Sequence, residues 1–161
     1  MSLDTSVGTT TSQSYASVAE ADAYLTFRGG TAAWFLLTQA AKEQLLQWAC
    51  VQIDTLFFVG VKTILTQALE WPRFQVTDKN GYWIPGNVIP AQLKNAQIEM
   101  AFQLNTTDWS QGLNSVESES IKVGSVEQGR KTYRAFPAAV VALLKQFLTT
   151  SPNSGGRAVR G

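Results

Sequence analysis

The side chains able to do chemistry in this sequence are few and poorly placed for catalysis. Histidine is absent, which removes the commonest general base and metal ligand. Cys50 is the one cysteine, so no intramolecular disulfide framework and no Cys/His zinc set can form. Between Ala49 and Val51 on a helix, it reads as a buried structural thiol. Glu20 and Asp22 lie two apart on a short helix and so point to different sides, and Glu20 also fits a helix cap. Glu117 and Glu119 would share one face of a strand and could in principle flank a metal. A solvated sheet face is the plainer reading of that pair. GxxxxGK, GxGxxG and GxSxG do not occur, and neither Gly29-Gly30 nor Gly155-Gly156 joins a strand to a helix. The expectation is a protein that is not an enzyme, with no catalytic residues, no cofactor and no metal.

Charge points elsewhere. The formal net charge of +1 hides an asymmetry: residues 1–121 carry six basic and eleven acidic side chains, residues 122–161 seven basic and one acidic. The seven are Lys122, Arg130, Lys131, Arg134, Lys145, Arg157 and Arg160. Such a split suits a C-terminal quarter that faces an acidic partner, nucleic acid or protein, and equally suits one that neutralises its own fold or an identical neighbour. Tyr133 between Lys131 and Arg134 adds the aromatic-plus-cation mix that stacks on and neutralises single strands. Yet these cations are scattered over strand, helix and tail, whereas dedicated binders carry a dense basic stripe.

The elements that must position these groups follow from local signals. At 161 residues the chain reads as one domain with a tail, and a domain of this size buries roughly 70% of its unfolded surface. Residues 1–14, rich in Ser, Thr and Gly, read as a flexible or partner-ordered arm. Ser17 and Glu20 form a capping box that opens a helix from Val18 to about Phe27, closed by Arg28-Gly29-Gly30. Trp34, Phe35 and Leu36 sit in a linker. Gln39 to Phe58 reads as one long helix capped by Thr38 and stopped by Gly60, the scaffold of the fold, with Leu45, Ala49, Ile53 and Leu56 on its packing line. Its Trp48 is expected to be covered from within the chain. Phe74-Val76 and Tyr82-Ile84 flank Asp78-Lys79-Asn80-Gly81, an Asn-Gly hairpin signal. Pro90 opens a helix to about Asn105 and Pro137 opens the last one, with a strand expected over Val116 to Val126. The fold class is therefore mainly α: a compact bundle of about four helices with one or two small β-hairpins and extended N- and C-terminal arms. Its divisions are an arm over 1–14, a helical domain over 15–150 and a tail over 151–161. No apolar run reaches the ~20 residues a membrane span needs, and the polar start MSLDTSVGTTTSQS lacks an apolar signal segment.

The stretches SYASVAEADAYL, KEQLLQWACVQID, QALEWPR, IPAQLKNAQIEMA and SIKVGSVE, in this order, resemble a tailed-phage family labelled DnaT-like single-stranded-DNA-binding protein, whose members include head-to-tail adaptor (connector) proteins. The resemblance covers roughly Ser14 to Thr149 and implies a structural virion protein of the neck, made in the host cytoplasm. Copies would form a ring of twelve that joins the portal protein to the next tail or neck component, with DNA passing through the channel. The tail residues Arg157, Val159 and Arg160 are then the expected portal or partner contacts. Lys122, Arg130, Lys131, Tyr133 and Arg134 are the expected contacts to neighbouring subunits or to DNA. Single-stranded-DNA binding is the alternative function.

Overall fold

A computed structural model describes residues 2–106 and 136–149. Its first helix forms where the sequence demands it. Ser17 accepts from the Glu20 backbone N–H while Glu20 accepts from that of Ser17, so both orphan donors are satisfied as α1 (Val18–Arg28) begins. The stretch expected as a linker folds into a short helix, α2 (Ala32–Phe35), which buries Trp34. Thr38 caps α3 (Gln39–Ile53) through the Ala41 N–H at 3.2 Å. After a small antiparallel pair, β1 (Val61–Lys62) with β2 (Arg73–Phe74), come α4 (Ala91–Thr106), α5 (Ala138–Leu144) and a 3-10 turn over Lys145–Phe147. The architecture is thus mainly helical, with five helices and one two-stranded sheet among the described residues.

Helix α4 is the centre. It packs against α1, α2, α3 and α5, and Leu93, Ala96, Gln97, Ile98, Glu99, Met100, Ala101, Phe102 and Leu104 are all buried. The expectation that Gln39–Phe58 is the scaffold needs two corrections. Helix α3 ends at Ile53 instead of Phe58: after Asp54 the backbone bonds tighten to three-residue turns, Thr55 N–H donating to Gln52 and Leu56 N–H to Ile53. Trp48 is only partly covered among the described residues: it stays 40% exposed, on a stripe with Gln44, Val51 and Thr55 at helical spacing, while Leu46, Ala49, Cys50 and Ile53 face the core.

The glycine at position 60 does something other than stop a helix. Its φ is +74°, and a Cβ there would fall 2.1 Å from the Phe74 carbonyl oxygen and 2.7 Å from Val76. It is a point of close approach between the chain leaving α3 and the stretch from Phe74 to Val76. Just before it, residues 57–59 pair with the end of the last helical segment: Val59 N–H donates to Phe147 and Thr149 N–H to Phe57, at 2.8 and 2.9 Å. Trp71 fills the space between, edge-on to Phe58 at 5.9 Å and to Phe147 at 5.3 Å.

The N-terminal stretch, expected as an extended and flexible arm, instead folds back on itself, with Gln13 and Ser14 N–H donating to the Asp4 carbonyl, and is anchored to the helices. Gln97 explains why. Its carbonyl oxygen accepts from Tyr15 and Ala16 N–H at 3.1 and 2.9 Å, and its amide donates to Ser14 Oγ and the Leu46 carbonyl at 2.6 and 2.8 Å. One fully buried side chain thereby ties residues 14–16 to α3 and α4. Further out, Ala68 N–H donates to the Thr9 carbonyl.

Candidate interaction surface

The eight partner-contact residues expected from the sequence, Lys122, Arg130, Lys131, Tyr133, Arg134, Arg157, Val159 and Arg160, lie outside the described residues. So do Glu117, Glu119 and the strand expected over Val116 to Val126. Lys145, the remaining cation of the basic quarter, is exposed.

The other carboxylate pair is fully engaged in structure. Asp22 accepts from Trp34 Nε1 at 2.7 Å and from Lys42 Nζ at 2.9 Å. Glu20 binds Lys94 at 2.6 Å as well as its cap. Partial burial opposes ionisation of Glu20, but Lys94 and the Ser17 N–H outweigh it and hold the carboxyl below its usual value. Glu99 joins Arg28 at 2.6 Å and Tyr24 at 2.9 Å. Burial and that carboxylate push the Tyr24 phenol up to about 12. Cys50 is buried, as expected, and burial raises its thiol well above the ordinary range, so it stays neutral and unreactive. Among the described residues no group of three or more Cys, Asp or Glu could hold a metal ion, and no helix is long and apolar enough to cross a membrane.

A second polar cluster fastens the 57–90 lobe to the helices. Asp54 accepts from the Tyr15 hydroxyl and, at 3.1 Å, from Glu70 N–H, while Trp71 N–H donates to Tyr15 at 3.3 Å. Burial lifts the Asp54 carboxyl from 3.8 to about 6, with the two hydrogen bonds opposing that rise and Glu70 adding to it. Arg73 then gathers the turn behind it. Its guanidinium donates to the carbonyls of Phe58, Val59, Gly60 and Glu70 and to the Glu70 carboxylate, which also binds Lys62 at 3.0 Å. Planar, five-donor Arg suits this task; Lys could not span four carbonyls at once.

With its interior held in this way, the lobe presents an apolar outside. Val61 pairs with Phe74 across the two strands, both exposed, and the Phe74 ring lies against Gly86. The hairpin expected around Asn80-Gly81 is present. Thr77 bridges to Trp83, Ile84 N–H donates to Val76, and Gly81 takes φ +86° to close a three-residue loop. Tyr82 and Trp83 are 73% and 71% exposed. These two were missed as functional candidates, although a signal was there. Aromatics on successive residues of a short hairpin point to opposite faces, and a lone hairpin can lay only one face on the body, so at least one of the two rings had to face outward. Phe27, Leu36, Phe57 and Leu65 add exposed apolar groups on other elements.

Against this, the described body offers few free cations. Arg28, Lys42, Lys62, Arg73 and Lys94 each lie within 3.0 Å of a carboxylate of the same chain, which leaves Lys79 and Lys145 among the described residues. The surface is therefore rich in apolar and aromatic contact groups and poor in groups that would neutralise phosphates.

A family model described as "Putative DnaT-like ssDNA binding protein" matches residues 1–161. The chain belongs to that family. No curated protein and no solved structure matches it.

Proposed function

We propose that the protein is a non-enzymatic assembly module, a head-to-tail adaptor whose copies form a ring that joins a portal to the next tail component. The observation that carries this reading is the contrast just described: large apolar side chains stand exposed on several elements while most of the body's cations are spent on ion pairs within the chain. Exposed apolar side chains that adjoin one another, as Val61 and Phe74 do across the two strands, mark protein contact. A heterologous ring requires two different complementary faces on each copy, which the acidic body and the basic C-terminal quarter supply. In this reading Arg157, Val159 and Arg160 reach the portal, and Lys122, Arg130, Lys131, Tyr133 and Arg134 meet the adjoining copy. The test is native mass spectrometry and electron microscopy of the chain with and without its portal. Ring-shaped oligomers or a portal complex, indifferent to added DNA, are expected. A monomer that never engages the portal overturns the reading.

Single-stranded-DNA binding is the second reading, and it is the one the family description supports. Tyr82 and Trp83 beside Lys79 offer stacking faces next to a cation outside the body's ion pairs, and the basic C-terminal quarter would contribute the remaining charge. It predicts oligonucleotide affinity that falls steeply with salt, because bound counterions are released from the phosphates. The absence of any salt-sensitive shift removes it.

A further inference from the structure

We propose that Asn80 is a self-modification site, at which the neighbouring Gly81 backbone nitrogen expels the side-chain amide, and that Asp78 sets the rate. The chain has six asparagines, and Asn80 alone precedes a glycine. That matters because attack on the Asn80 side chain needs the next backbone nitrogen to swing towards Cγ, which a following Cβ hinders. The surroundings leave room. Asn80 and Gly81 are both exposed, nothing lies within 4 Å of where a Gly81 Cβ would stand, and no hydrogen bond holds the Asn80 amide among the described residues.

The chemistry needs only water. The Gly81 nitrogen loses its proton to solvent base and attacks Asn80 Cγ, forming a C–N bond. The Cγ–Nδ2 bond breaks and the nitrogen leaves as ammonia after taking a proton from water. The resulting five-membered succinimide is opened by water at either carbonyl, to aspartate or to isoaspartate. Either product adds a carboxylate next to Tyr82, and isoaspartate also inserts a methylene into the main chain of the turn.

Asp78 restrains the first step. Its carbonyl accepts from Gly81 N–H at 3.1 Å, and its Oδ1 accepts from Asn80 N–H at 2.8 Å and Tyr82 N–H at 3.0 Å. The nucleophilic nitrogen is thus occupied, and the backbone on both sides of it is pinned to one carboxylate. The turn must open before the ring can close, so Asp78 governs how often the reaction is attempted.

The full chain, incubated at mildly alkaline pH and followed by peptide mapping that separates aspartate from isoaspartate, tests both parts. Conversion is expected at Asn80 ahead of Asn87, Asn95, Asn105, Asn114 and Asn153, and Asn80→Gln should abolish it. Asp78→Ala should convert several-fold faster than the parent chain. If the folded chain keeps its Asn80 amide while the same chain in urea converts it, the fold blocks the reaction and the proposal fails. If Asp78→Ala converts no faster, the assignment of Asp78 fails while the site stands.

Discussion

Helix α4 and the irregular lobe over residues 57–90 each hold a buried polar side chain with several hydrogen bonds, yet they turn opposite faces to the world. Gln97 in α4 is wrapped on all sides and spends its four bonds on two other stretches of the same chain, residues 14–16 and Leu46. Arg73 in the lobe gathers the carbonyls of its own turn from inside, while Phe57, Phe74, Tyr82 and Trp83 stand outside. A helix satisfies its backbone internally and can be buried all round. An irregular segment must spend a side chain on its carbonyls, and what remains of its surface faces solvent. The difference separates a part that holds the fold from a part available for contact.

The largest effect is expected at the point where the helical body is most tightly tied. Gln97→Leu leaves the Tyr15 and Ala16 N–H groups, the Leu46 carbonyl and the Ser14 hydroxyl without this partner. At about 1–3 kcal/mol for each buried unsatisfied group, the loss should reach about 4 kcal/mol or more in urea denaturation. A neutral outcome would mean that the N-terminal stretch is not held as described. Ile53→Ala, at a fully buried position on α3, should cost about 2–5 kcal/mol. A value near zero would place that face of α3 outside the core.

Asp54 lies on the seam between the two regions, and its effect depends on pH. Because burial raises its carboxyl from 3.8 to about 6, the folded state keeps a proton that the unfolded chain releases. The stability linked to this group is therefore fully present below its ordinary value and is lost as pH rises through about 6. Asp54→Asn, which cannot titrate, should flatten the pH dependence of folding stability across that window. An unchanged slope would locate the dependence in another group. The smallest effect on folding belongs to the outside of the lobe. Tyr82→Ala and Trp83→Ala should each shift stability by about 0.5 kcal/mol or less but weaken self-association or portal binding in analytical ultracentrifugation. A large stability loss would show that these rings hold the fold and erase the contrast between the two regions.

Much of the fold was legible because its signals are local. The Ser17 capping box, the Thr38 cap, the helix starts at Pro90 and Pro137 and the turn at Asn80-Gly81 each depend on residues within four positions of one another. Such patterns mean the same thing in almost any surroundings.

The candidate surface was less legible, and the reason is distance along the chain. Apolar content made Gln39 to Phe58 look like the scaffold, but α4 holds that place because α1, α2, α3 and α5 all converge on it. Trp48 reads as core in the sequence and stands 40% exposed, since among the described residues no distant segment fully covers the stripe it shares with Val51. The polar N-terminal stretch reads as a free arm and is fastened by Gln97, 81 positions beyond Ala16. Helix starts and turns were thus determined by the sequence itself, through hydrogen bonds that close within a few residues. Which helix is central and which aromatics face outward were decided only in the tertiary structure, because each depends on partners that folding alone brings together.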